Sequence, residues 1–154
     1  MAKPSVELIS ALRETADRVE SGARYEWGHM AHCNCGHLVQ TVTQQTGIEV
    51  ARKVNDHLLE WTEHAQVRCS HTGHPLEEMF EALEKVGFTR EDVVHLENLS
   101  DRQVLCHLGE RVHLNRNQRD DMVCYLRAMA ELLEKDLLRT PASVLLGHAQ
   151  AQVS

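Results

Sequence analysis

Apolar residues recur along this chain at three- and four-residue steps, the spacing that gathers them on one face of an α-helix. Leu8, Leu12, Ala16 and Val19 make the first stripe, with Ser5 placed to cap that helix and Gly22 to end it. A second stretch, 27–46, carries Leu38, Val39 and Val42 on its core face and stops at Gly47. Val50, Val54, Leu58, Trp61 and Ala65 form a third stripe, which runs into the turn-rich segment 69–75. Pro75 suits the first position of a new helix, and Glu77 and Glu78 suit its positive end. Leu76, Met79, Phe80 and Leu83 supply its buried face before Gly87. Two short helices follow. Thr89 opens one, and Ser100 with Gln103 reads as a capping box for the other, closed by Gly109. Asn115 or Asn117 then opens a long helix, with Met122, Leu126, Met129, Leu133 and Leu137 in line, broken at Thr140-Pro141.

No two-residue alternation, internal repeat or low-complexity linker interrupts this pattern. The expected fold class is all-α: a single domain over residues 1–154, built as a bundle of five or six helices with short connections. The tail 140–154 is either a last short helix or a loose end.

Composition narrows the partners. Sixteen Lys and Arg against 23 Asp and Glu leave a net charge of −7, and no basic run offsets it, so no nucleic-acid partner is expected. No stretch approaches the roughly 20 apolar residues of a membrane helix, and no apolar leader follows Lys3, so a cytoplasmic protein with no membrane partner is expected. Five cysteines are an odd number, which argues against a pure disulfide framework. In a reducing compartment, clustered thiols point to metal or redox chemistry instead. Aromatic residues make up only 4% of the chain, which suits a Leu/Val/Met helix core, whereas 11 histidines call for an explanation.

Two segments concentrate that chemistry. One holds His29, His32, Cys33, Cys35 and His37; the other holds Cys69, His71 and His74. Thiolate and imidazole are the ligands preferred by zinc and iron. If the second and third helices fold back on each other at Gly47, His29 and Cys33 come near Trp61, His64 and the Cys69 turn. The expected metal set is His29, Cys33, Cys35 and Cys69, with His37, His64, His71 and His74 in reserve for the fourth position. Zinc, iron or an iron–sulfur cluster would suit it. One geometric condition applies. Cys33 and Cys35 stand about 200° apart on a regular helix, so they share a metal only if the backbone leaves helical geometry at Asn34-Cys35-Gly36. A helix starting there would hold the thiols at its positive end and favour the reactive thiolate, with Cys33 as an exposed nucleophile. Against this, Cys35 falls on the Leu38/Val42 face and reads equally as a core residue.

Glu26-x-x-His29 and Glu110-x-x-His113 show the spacing of four-helix di-iron sites, with Glu60 or Glu63 as a further ligand. His57, Glu60 and His64 share a helix flank that reads as a polar seam, and His95, Cys106, His107 and Cys124 read as structural. No phosphate loop, nucleophile elbow or H-E-x-x-H helix is present, so hydrolase and nucleotide-binding classes gain no support.

The stretch 25–36 (YEWGHMAHCNCG), together with 96–101 (LENLSD) and 119–127 (RDDMVCYLR), is similar to a group of small bacterial all-helical proteins. That resemblance implies a bacterial, cytoplasmic protein and brings no activity, substrate or cofactor with it. Three readings follow. The first is a helical protein with a Cys/His metal or redox-active thiol site between the second and third helices. The second is a metal-free helical interaction module, as a homodimer. The third is a di-iron carboxylate oxidase built on Glu26 and His29.

Overall fold

A computed structural model of the chain describes residues 1–27, 29–54, 61, 75–109 and 112–141. All regular structure among them is helical; five or six helices are expected and seven are bounded, α1 (Val6–Glu20), α2 (Asn34–Thr43), α3 (Gly47–Val54), α4 (Pro75–Lys85), α5 (Arg90–Asn98), α6 (Arg102–Leu108) and α7 (Arg119–Arg139), and Trp61 is helical as well. None of these is long and apolar enough to cross a membrane.

The apolar stripes fall where the pattern places them. Leu8, Leu12, Ala16 and Val19 of α1 are fully buried, and so are Met122, Leu126 and Leu133 of α7. These two helices lie against each other along their lengths. They run antiparallel: Arg13 at the middle of α1 pairs with Glu134 toward the end of α7 at 2.8 Å, and Arg127 nearer the start of α7 reaches Glu20 at the end of α1 at 2.6 Å. Both pairs are exposed to water, so packing of the stripes, rather than these charges, holds the helices together.

Several helix ends follow from local chemistry. The Ser5 hydroxyl accepts the Leu8 N–H at 3.1 Å and opens α1. Thr89 and Asp92 close a reciprocal capping box on α5. Pro75 is the first residue of α4, and Gly109, at φ 140°, ends α6.

Other ends correct the expectations. The second helix does not run through 27–33; it starts at Asn34, capped by Cys33. It ends at Thr43, where Gln44 takes a left-handed conformation at φ 56°, and Gly47 opens α3 instead of stopping α2. Asp101, not Ser100, caps α6, accepting the Gln103 and Val104 N–H groups, while Ser100 bonds His95. Helix α7 starts at Arg119 behind Gln118, and Asn115 is spent on the preceding turn, where it accepts the Asn117 N–H.

Helix α2 sits at the centre, packed on α1, α3, α4 and α5. Arg18 of α1 fastens it by donating to the His37 carbonyl at 2.8 Å and to the Thr41 hydroxyl at 3.1 Å. The start of this helix carries the candidate site.

Candidate functional site

The chain reaches Cys33 through tight turns. The His29 carbonyl accepts both the His32 and Cys33 N–H groups, and the His32 carbonyl accepts the Glu26 N–H. This non-helical backbone makes Cys33 an N-cap residue and Cys35 a member of the first turn of α2. The departure from helical geometry expected at Asn34-Cys35-Gly36 is absent, since those three residues open α2; the backbone is non-helical only ahead of them, up to Cys33. Gly36 permits this entry for a steric reason. A Cβ there would lie 2.2 Å from the Met30 carbonyl oxygen and 2.6 Å from the Ala31 carbonyl carbon. Only glycine lets the turn fold onto the helix so closely.

Both thiols are only 1% exposed. Cys33 Sγ accepts the Gly36 N–H at 3.4 Å and lies 3.5 Å from the Met30 carbonyl. Cys35 Sγ donates toward the Val93 carbonyl at 3.3 Å. Glu97 of α5, 4% exposed, accepts the Cys35 N–H on its carboxylate at 3.2 Å, and its charge acts on both thiols. Asn34 completes the attachment, donating from Nδ2 to the Leu96 and Glu97 carbonyls at 3.2 and 3.1 Å. The Trp27 indole donates to the same Glu97 carbonyl at 3.2 Å.

These surroundings reverse the expected thiol chemistry. The helix start does offer the Gly36 N–H to sulfur, which favours thiolate. Burial opposes it more strongly, and the Glu97 charge adds to burial; together they push both thiols well above their ordinary range. Cys33 is therefore a buried, protonated thiol and not the exposed nucleophile its position suggests.

The imidazoles divide into two kinds. His37 is 1% exposed with both ring nitrogens engaged: Nε2 on the Arg24 carbonyl at 2.7 Å and Nδ1 facing the Arg18 guanidinium at 3.1 Å. A carbonyl needs a donor and a guanidinium needs an acceptor, so the ring is neutral and carries its proton on Nε2. Burial first, and the Arg18 charge after it, bring its pKa down to about 4. As a metal ligand His37 would have to surrender one of these contacts. His29 and His32 are half-buried and stack at 4.4 Å between ring centroids. The Nδ1 of His29 accepts the Ala31 N–H at 3.2 Å.

Trp61 of the third stripe joins this turn to α4. Its indole donates to the Met30 carbonyl at 2.7 Å, the same oxygen that the Cys33 thiol approaches, and its ring meets Phe80 of α4 edge-on at 5.8 Å. The expected approach of Trp61 to Cys33 is therefore present. Cys69, His64, His71 and His74 lie outside the described residues, as do His57, Glu60 and Glu63. Among the described residues, no three His, Cys, Asp or Glu side chains are disposed to hold a metal ion.

Of the di-iron candidates, Glu26, His29 and His113 are described, whereas Glu110 lies outside the described residues. Glu26 and His29 lie in turns instead of on a helix, Glu26 is exposed and pairs with Arg24 at 2.9 Å, and His113 is exposed in the segment before α7. Of the histidines and cysteines read as structural, His95 bonds Ser100 and His107 bonds Glu131, while Cys106 and Cys124 are exposed. Glu97 was missed by the sequence reading. Its only signal is position: it follows Val93 by four residues and Leu96 by one, on the buried stripe of α5.

No family model matches the chain, and neither a curated protein nor a solved structure matches it.

Proposed function

We propose that this chain is a metal-binding helical protein in which Cys33 and Cys35 bind one zinc or iron ion together with Cys69. A histidine fills the fourth place, and the ion staples the segment following Trp61 to the start of α2. The observation that carries the reading is the shared Met30 carbonyl: the Trp61 indole and the Cys33 thiol both approach that one oxygen. The chain leaves Trp61 beside the thiols and enters α4, which packs on α2, at Pro75. Cys69 falls between these two points, eight residues after Trp61 and six before Pro75, which bounds its distance from the pair.

Electrostatics favours an ion over a free reactive thiol. With Glu97 against them and water excluded, two thiolates are costly unless a cation offsets their charge. Metal capture would release the thiol protons to solvent, so affinity rises with pH. His29 is available as the fourth ligand once it lets go of the Ala31 N–H. His64, His71 and His74 are the alternatives, and His37 is the least suited because its ring holds two other contacts. The reading takes the chain as one helical domain in a reducing cytoplasm, where an odd set of thiols stays unpaired.

A second reading has a specific observation behind it. Each thiol already has a backbone carbonyl within reach, Met30 for Cys33 and Val93 for Cys35, as buried cysteines of an ordinary core do. On that reading the chain is a metal-free helical interaction module.

Elemental analysis of protein purified without a metal-affinity tag, followed by cobalt substitution, separates the two. The metal reading expects one ion per chain and a sulfur-to-cobalt charge-transfer band that weakens in Cys33→Ser, Cys35→Ser and Cys69→Ser alike. A chain that holds no ion and gives no such band is the metal-free module.

A further inference from the structure

Away from the thiols, α1 and α7 leave a groove of about 540 Å³ between them. Its apolar wall is Val6 and Ile9 of α1 with Leu137 and Leu138 of α7. Two of the three exposed large apolar side chains among the described residues stand here: Val6 at 67% and Leu138 at 82% exposure. The charged lining is one-sided, with Glu14, Asp17 and Glu134 against Arg13 alone. Arg13 is taken up by Glu134 at 2.8 Å, so the surplus lies along α1 at Glu14 and Asp17, both exposed. Asp17 also meets Arg127 at 3.0 Å, but that guanidinium is shared with Glu20. Glu7, likewise exposed, continues the acidic line two turns ahead of Glu14.

We propose that this groove docks a basic amphipathic helix of a partner protein. Its apolar stripe would cover Val6 and Leu138, and its Lys or Arg residues would face Glu14 and Asp17. Charge selects this occupant. A second copy of the chain brings the same acidic line and a net charge of −7, so like charges would meet across the contact, whereas a basic helix meets opposite ones. Shape selects a helix. Two antiparallel helices present a furrow in which a third packs its ridge of side chains. From Val6 to Asp17 the wall runs about three helical turns, roughly 16 Å, which fits a partner helix anchored by apolar residues at three- and four-residue steps.

The probe is a fluorescein-labelled amphipathic peptide of leucine and lysine, with its leucines on one helical face, titrated into the full chain by anisotropy. The parent chain should bind it at one peptide per chain, and a peptide with every lysine replaced by glutamate should not bind. Val6→Ser/Leu138→Ser and, separately, Glu14→Lys/Asp17→Lys should each weaken binding at least tenfold. All four positions are exposed, and circular dichroism should show the bundle intact in both variants. A parent chain that ignores the leucine–lysine peptide overturns the proposal. So does binding that Val6→Ser/Leu138→Ser leaves unchanged, since the peptide would then be reading negative charge elsewhere. A parent chain that sediments as a dimer, and as a monomer once Val6→Ser/Leu138→Ser is introduced, overturns it too by giving the groove to a second copy.

Discussion

The α1/α7 pair and the turn that leads into α2 are both buried, yet they are held by opposite means. In the pair, apolar side chains from two long helices mesh, and the polar contacts (Arg13 with Glu134, Arg127 with Glu20) lie outside in water. In the turn, the interior itself is polar: Asn34, Glu97, His37 and two thiols are nearly inaccessible, and each is tied to backbone groups at short range. The first arrangement tolerates any sequence with the right stripe. The second specifies its residues, because a buried polar group without its partner costs more than a lost apolar contact of the same size.

Mutations sharpen the contrast, starting with the largest expected effect. Leu126→Ala, fully buried in the pair, should cost about 3–4 kcal/mol in chemical denaturation, the usual result of an unfilled cavity in a packed core. Gly36→Ala should cost about 2–3 kcal/mol although it adds a single methyl group, because that methyl meets the Met30 carbonyl at 2.2 Å. The same experiment on an exposed glycine, Gly22→Ala, meets no neighbouring atom and is limited to the strain of its φ of 111°.

His37 gives the turn a pH signature that the helix pair lacks. Its pKa is about 4 in the folded chain against an ordinary 6.5. As pH falls below 6.5 the unfolded chain takes up the proton first, so the stability contributed by the neutral buried ring is complete above that value and is lost toward pH 4. The loss should be on the order of 2–3 kcal/mol. Denaturation midpoints of His37→Gln should be flatter over that window than those of the parent chain, and parallel slopes would assign the acid sensitivity elsewhere. At the small end, Arg127→Ala should change stability by less than about 1 kcal/mol, since its partners Glu20 and Asp17 are exposed.

The same contrast explains what could be read from the chain alone. Stripes such as Leu8/Leu12/Ala16 and Met122/Leu126/Met129 give away α1 and α7 because period and burial coincide. Ser5, Thr89, Pro75 and Gly109 mark helix ends through chemistry local to those residues. The start of α2 was hidden because its cap is a sulfur, a weak acceptor rarely used in that role, and its end because Gln44 and not a glycine takes the left-handed conformation. The site was half legible. The unusual crowding of Cys33, Cys35 and His37 draws attention to the turn ahead of α2, and helix pairing predicts that Trp61 reaches it. Burial and the Glu97 charge set the protonation of its thiols, and the partners of its side chains, Glu97 and the carbonyls of Met30, Val93 and Arg24, come from distant or backbone positions that leave no mark in a spacing pattern.

The central claim is that thiols from both sides of Trp61 share one ion, and X-ray absorption at the metal edge counts them directly. For tag-free protein the account predicts a first shell with about three sulfur neighbours near 2.3 Å, the zinc–thiolate distance, falling to about two in Cys69→Ser. A first shell of nitrogen and oxygen alone, or one that Cys69→Ser leaves unchanged, would contradict it.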